Sequence, residues 1–283
     1  MSSHFRPPAE ILDELGITDP SEIVIEAIAE YCGATIVYEP LEGSEARILG
    51  AGDRAIITVN AKAPRPRQRF SAAHELGHWM RDRGKVAFSC TDRNLVREWD
   101  EDNPERRANR YAADLLLPRK FIERIARGMP PTFASARTLG ETFTTSLMAT
   151  AIRLVEFGAY PAMLVCTQAA RREWFIRSSV VPAELWPLRK PGAGAVATRL
   201  LSGNPSAPVE PTTVDADEWI DHSEASKYTL VEDSRRMGQD LVLTLLWWKD
   251  EAQILSLRDG EEEEEDRPEL TGELTFGSRK RRR

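Results

Sequence analysis

The sequence predicts an α+β chain in two parts, and three observations carry that reading. A helix, three short strands and a second helix fill the first eighty residues. A wholly helical stretch follows over residues 119–158, and strands return after Pro161. At 283 residues the length itself favours two domains. A hydrophobic content of 41% with 29% charged residues describes a globular chain with apolar mass for real cores.

The N-terminal residues 1–18, with Pro7 and Pro8, are expected to be loosely ordered. Asp19-Pro20-Ser21-Glu22 then opens a helix running to Tyr31, with Ile23, Ile25, Ala27 and Ile28 on or near its buried side. Residues 34–38 (Ala-Thr-Ile-Val-Tyr) read as a strand, and so do 47–49 and 55–60, with Gly50, Gly52 and Asp53 as the turn between the last two. The strand at 56–60 is the one expected to receive a ligand, because it lies nearest the next motif.

That motif is His74-Glu75-Leu76-Gly77-His78. On a helix, residues four apart stand one above the other, with Cβ atoms about 5–6 Å apart. Two imidazole nitrogens can then converge on one Zn²⁺ at about 2.0–2.1 Å. Glu75 is placed to take a proton from water rather than to bind the metal. The chain has only four histidines, so an accidental match has a chance of about one per cent. Phe70, Ala73, Leu76, Gly77 and Met80 give an apolar stripe at helical spacing, which marks a helix with one face in the core rather than a solvated one. Mid-helix glycine costs roughly 1 kcal/mol against alanine, so Gly77 needs a packing or site reason, and close approach of another element is one candidate.

A catalytic zinc takes three protein ligands and leaves one position open. Cys32, Cys90 and Cys166 are isolated, with no C-x-x-C pair, and His4 and His222 sit in polar stretches far from the motif. A carboxylate remains, and residues 98–114 are rich in them. Asn103 as N-cap and Pro104 at the first helical position start a helix that Pro118 ends. Glu105, Ala108, Asn109, Ala112 and Leu116 share one face, and the alanines leave room for close approach. The face selects Glu105 over Glu98, Asp100, Glu101 and Asp102. Asn109 could hydrogen-bond a ligand histidine and fix its tautomer.

The stretch Arg69-Phe70-Ser71-Ala72-Ala73-His74-Glu75-Leu76-Gly77-His78, followed by Glu105-x-x-Ala108-Asn109-x-x-Ala112-Ala113-x-Leu115-Leu116-Leu117-Pro118, resembles the signature of the ImmA/IrrE-type metallo-endopeptidases. The resemblance covers roughly residues 20–160. It implies His74, His78 and Glu105 as zinc ligands and Glu75 as general base. It also implies a cytosolic protein substrate, a DNA-binding repressor or an antitoxin, in stress response and transcription regulation. Two departures stand out: no N-terminal helix-turn-helix is evident, and the last hundred or so residues match no motif of a known partner. No residue type singles out the oxyanion stabiliser, although Tyr111 and Arg110 neighbour the third ligand.

Beyond the motifs, residues 135–143 and 147–157 read as helix, turn, helix. A recognition helix needs an outward polar face. The second helix offers Arg153 among mostly apolar residues, so the stripe favours core packing. Strands are expected at 162–166, 172–178, 228–232 and 241–248, with a long Pro- and Gly-rich loop and a short helix at 195–201 between them. Five of the seven tryptophans lie after residue 170, and Trp174, Trp247 and Trp248 read as core rather than ligand-binding. Residues 259–283 hold nine acids and six bases and read as a disordered polyampholyte tail.

The fold expected is therefore α+β: a small zincin-like metallopeptidase domain with a helical extension, followed by a second α+β domain. The boundaries expected are 1–118 for the zinc metallopeptidase domain, 119–160 for the helical segment packed on it, 161–258 for a sensor or docking domain and 259–283 for the tail. A net charge of −7 weighs against direct nucleic-acid binding. The absence of long apolar runs and of a signal sequence, with no cysteine pairs, points to the cytoplasm. The alternative to the enzyme is a non-catalytic regulatory protein that keeps the zinc fold and binds a partner or nucleic acid.

Overall fold

Alternating burial along the first strands builds one sheet with a single covered face. The computed structural model describes residues 5–82, 88–90, 103–203, 208–250, 252–254 and 257. His4, Glu98, Asp100, Glu101, Asp102 and the tail 259–283 lie outside them. Strands β1 (Ala34–Glu39), β2 (Ala46–Ala51), β3 (Arg54–Asn60) and β4 (Phe88–Cys90) form a sheet in the order β1-β3-β2-β4. Only the β1–β3 pair is parallel. Ala34, Ala46, Ile48, Ala55, Ile57 and Val59 are buried, whereas Leu49 and Ile56 are 63% and 50% exposed, as a period of two requires.

Helix α3 (Arg65–Asp82) covers the buried face. Its Trp79 indole N–H donates to the Cys32 carbonyl at 2.9 Å, and its ring lies over Gly50. A Cβ at Gly50 would come within 2.8 Å of that ring, so the sheet admits α3 at this depth only over a bare backbone.

Two N-terminal expectations need correction. Residues 8–14 are not loose: Pro8–Glu14 is helix α1, with Ile11 and Leu12 fully buried. Pro8 stands at the first helical position, where its missing N–H costs nothing. The segment from Asp19 to Tyr31 is not one helix. A 3₁₀ turn at Pro20–Glu22, closed by a capping box from Asp19, gives way at Ile23 and Val24 to α2 (Ile25–Tyr31). A further expectation fails at β3. It is hydrogen-bonded on both sides, to β1 and β2, and so has no open edge on which residues 56–60 could receive a substrate strand.

Helix α4 (Pro104–Leu116) crosses α3, capped by the Asn103 side chain, which accepts from the Glu105 N–H at 2.9 Å. Helices α5 (Arg119–Ile125), α6 (Phe133–Phe143) and α7 (Leu147–Phe157) follow. Thr144 takes a left-handed conformation (φ 53°) at the end of α6. On α7, Arg153 is 4% exposed and pairs with Asp114 of α4 at 2.5 Å and with Glu156 at 2.8 Å. The one cation of α7 is thus turned inward, and the helix joins the core.

The second sheet is antiparallel throughout, in the order β6-β5-β9-β8-β7, from β5 (Ala162–Gln168), β6 (Arg171–Arg177), β7 (Thr212–Asp215), β8 (Thr229–Arg236) and β9 (Leu241–Trp247). One face, with Leu164, Cys166, Leu243, Leu245 and Trp247, joins the core of the N-terminal sheet and helices. The other, with Met163, Val165, Val242 and Leu246, packs against Trp219, Trp248 and α8 (Val196–Leu201). Trp247 and Trp248 are core, as expected, at 3% and 0% exposed. The buried Glu232 carboxylate holds this second layer together: it accepts from the Val196 and Ala197 N–H groups, the Trp219 indole and the Ser234 hydroxyl at 2.7–2.9 Å.

Candidate metal centre

Two crossing helices make the site. His74 and His78 leave successive turns of α3, and Glu105 leaves the first turn of α4. The crossing is close because Gly77 faces α4: a Cβ there would meet Tyr111 Cβ at 3.0 Å and Ala108 Cα at 3.2 Å. Of the reasons a mid-helix glycine can have, close approach is the one present, and the approaching element is the helix that carries Glu105.

Three donor atoms converge. His74 Nε2 and His78 Nε2 stand 3.1 Å apart, and the Glu105 carboxylate lies 3.2 Å from the first and 3.4 Å from the second. Tetrahedral ligands at about 2.0–2.1 Å from a zinc ion are about 3.3 Å apart, so this triangle has the dimensions of three ligands around one such ion. Among the described residues, His74, His78 and Glu105 form the one cluster of histidine, cysteine and acidic side chains suited to a metal. The imidazoles are 7% and 2% exposed, while Glu105 is half-buried.

The Asn109 side-chain carbonyl lies 2.9 Å from His74 Nδ1. A carbonyl oxygen only accepts, so Nδ1 carries the proton and the Nε2 lone pair points into the triangle. Glu75, between the histidines, is fully buried. Phe70 flanks the His74 ring at 6.3 Å between centroids.

The other sequence candidates have contacts of their own. Arg110 has a side chain 79% exposed and reaches Asp114 at 3.9 Å. Tyr111 is 2% exposed, against Gly77 and with its ring 6.3 Å from Phe5. His222 accepts from the Glu224 N–H in the second half of the chain. Burial, and then the Glu173 carboxylate, pushes the Cys166 thiol up to about 11, and Cys166 lies on β5 in the core of the second sheet.

Residues 29–155 match a family model of M78 peptidases, described as the IrrE N-terminal-like domain. The chain carries an IrrE N-terminal-like domain. That match takes in α3, α4 and all three members of the triangle. No curated protein matches the chain. A solved structure of a Mycobacterium tuberculosis transcriptional regulator is similar over 95% of this chain and 92% of its own, with a TM-score of 0.51 at 15% identity. At that identity the likeness is one of fold, and it extends beyond the IrrE-like domain into the second sheet. Among the described residues no helix is long and apolar enough to cross a membrane.

Sequence reasoning did not find the arginine-lined surface around Trp186 on the second sheet. Its only signal was an arginine-rich strand, Arg171-Arg172-x-x-x-x-Arg177, read as structure alone.

Proposed function

We propose that the chain is a zinc-dependent endopeptidase of the cytoplasm that cuts one specific regulatory protein, a DNA-binding repressor or an antitoxin. The carrying observation is the triangle of His74, His78 and Glu105, whose spacing suits a tetrahedral zinc ion. When held there, zinc supplies a Lewis acid that acidifies water and polarises a scissile carbonyl. Glu75 accepts the proton of the attacking water and delivers it to the leaving amine. Asn109 holds His74 in the tautomer that a ligand needs. Residues 1–118 then form the peptidase domain, 119–160 a helical segment on it, and 161–258 a docking or sensing domain that adds binding energy away from the scissile bond.

A second reading is a non-catalytic regulator that binds its partner uncut, favoured by the name of the M. tuberculosis structure. The two separate on one experiment. The zinc-loaded chain is incubated with the regulator encoded beside it, and the mixture is read by intact mass. The enzyme predicts two fragments that a chelator prevents; a stable complex of intact partner supports the regulator and sinks the enzyme.

A further inference from the structure

Several exposed arginines face acids: Arg54 meets Glu30, Arg65 meets Glu26, and Arg119 meets Glu123. Those around β6 are placed differently. A bulge between Cys166 and Thr167 of β5 sets Arg172, Phe175 and Arg177 opposite Thr167, Val165 and Met163, on the face away from the IrrE-like domain. The segment that follows folds back, Arg172 N–H donating to the Arg189 carbonyl at 2.8 Å, and lays Trp186 edge-to-face on Phe175 at 5.2 Å. The Arg172 and Arg177 guanidiniums each lie over both rings, at 5.1–6.0 Å.

Among the described residues, no carboxylate comes within ion-pair distance of Arg172, Arg177 or Arg189. The Arg177 guanidinium donates to the Ala183 and Leu185 carbonyls. Arg172 loses solvation in its half-buried position and feels repulsion from Arg189, with Asp221 the one opposing charge, so its pKa lies below the usual arginine value. Trp186 is 49% exposed at the centre of this group. An exposed tryptophan ringed by arginines has the composition of a protein-binding hot spot. Clustering like charges costs energy that an anionic partner returns.

We propose that the Trp186 surface, formed with Arg172, Arg177 and Arg189, docks an acidic segment of a protein partner. Carboxylates of that segment meet the guanidiniums while an apolar side chain covers the indole. A protein is favoured over nucleic acid on one count. Nucleic-acid binding draws its affinity from many phosphate contacts, and this surface has only three arginines beside a tryptophan that an apolar side chain can cover. The surface acts in binding alone and stands whether or not the metal centre hydrolyses anything.

The test uses the full chain and a fluorescein-labelled peptide of alternating glutamate and leucine, read by anisotropy. Its glutamine-for-glutamate analogue and oligo-thymidylate serve as comparisons. The peptide should bind, weaken as salt rises, and lose about tenfold or more in affinity, about 1.4 kcal/mol, in Arg189→Glu and in Trp186→Ala. Both altered side chains are exposed, and an unchanged thermal midpoint separates lost docking from lost folding. Equal binding of the glutamine analogue, or unchanged affinity in both variants, overturns the proposal. So does oligo-thymidylate binding more tightly than the peptide through the same residues, which assigns the surface to nucleic acid.

Discussion

His74 depends on a residue that never enters the triangle. Its Nε2 can act as a ligand only while Nδ1 keeps the proton, and the Asn109 carbonyl at 2.9 Å enforces that state. Glu105 contributes differently, as the charged member of the set and the one nearest solvent. The two roles predict graded losses. Glu105→Ala should lose most metal affinity, because two neutral imidazoles are left to hold a dication. Asn109→Ala should retain the metal but bind it about 10–100-fold more weakly, since only the orientation is disturbed. Metal titration of the purified variants checks the order. Equal affinity in Glu105→Ala and the parent would mean that the trio is not the binding set.

Between elements, the site depends on how closely α3 and α4 approach. A methyl group at Gly77 would press on Tyr111 Cβ and Ala108 Cα, the second of them backbone that cannot rotate away. Overpacking of this kind costs roughly 1–3 kcal/mol, against roughly 1 kcal/mol that alanine returns in helix propensity. Gly77→Ala should therefore destabilise the chain by up to about 2 kcal/mol and weaken metal binding with it, because the displaced helix carries Glu105. Denaturant unfolding with a metal titration reads both; a stabilised variant with intact metal affinity would refute the packing argument. This crossing was legible in the sequence because its signals are local: a paired motif, a glycine with no helical reason, and a capped amphipathic helix. The rest depended on distant pairing. The three-residue strand β4 and four-residue β7 carry too little pattern to stand out. Helix α1 was hidden by prolines that normally break structure. The Trp186 surface exists only because the segment around residue 189 folds back onto β6, which no local pattern reports.

At the scale of the whole molecule, Asp233 joins the halves. It stands on β8, is 2% exposed, and accepts from the Phe133 N–H at the start of α6 at 2.8 Å. Burial holds its carboxyl above the usual carboxylate range, opposed by the Phe133 N–H and by Arg235, while Glu210 adds to the rise. A folded-state value above the unfolded one means that the native chain binds the proton more tightly. The stabilisation is fully present below the unfolded value and is lost as pH rises through the folded one. Asp233→Asn keeps an acceptor for Phe133 but removes the titration. The melting temperature of the parent minus that of Asp233→Asn should therefore rise as pH falls from neutral toward the unfolded carboxylate value. A flat or falling difference would show that burial does not raise the Asp233 carboxyl.

In the function we propose, Glu75, beside a zinc held by His74, His78 and Glu105, takes a proton during peptide hydrolysis. Glutamine keeps the shape of Glu75 but cannot accept that proton at neutral pH. The most direct measurement compares zinc-loaded parent and Glu75→Gln on the regulator encoded beside this chain, with zinc content and fragment formation followed together. A general base at Glu75 requires unchanged zinc and a loss of roughly 10²–10⁴-fold in cleavage rate. Equal cleavage by the variant, or loss of its zinc, would contradict it.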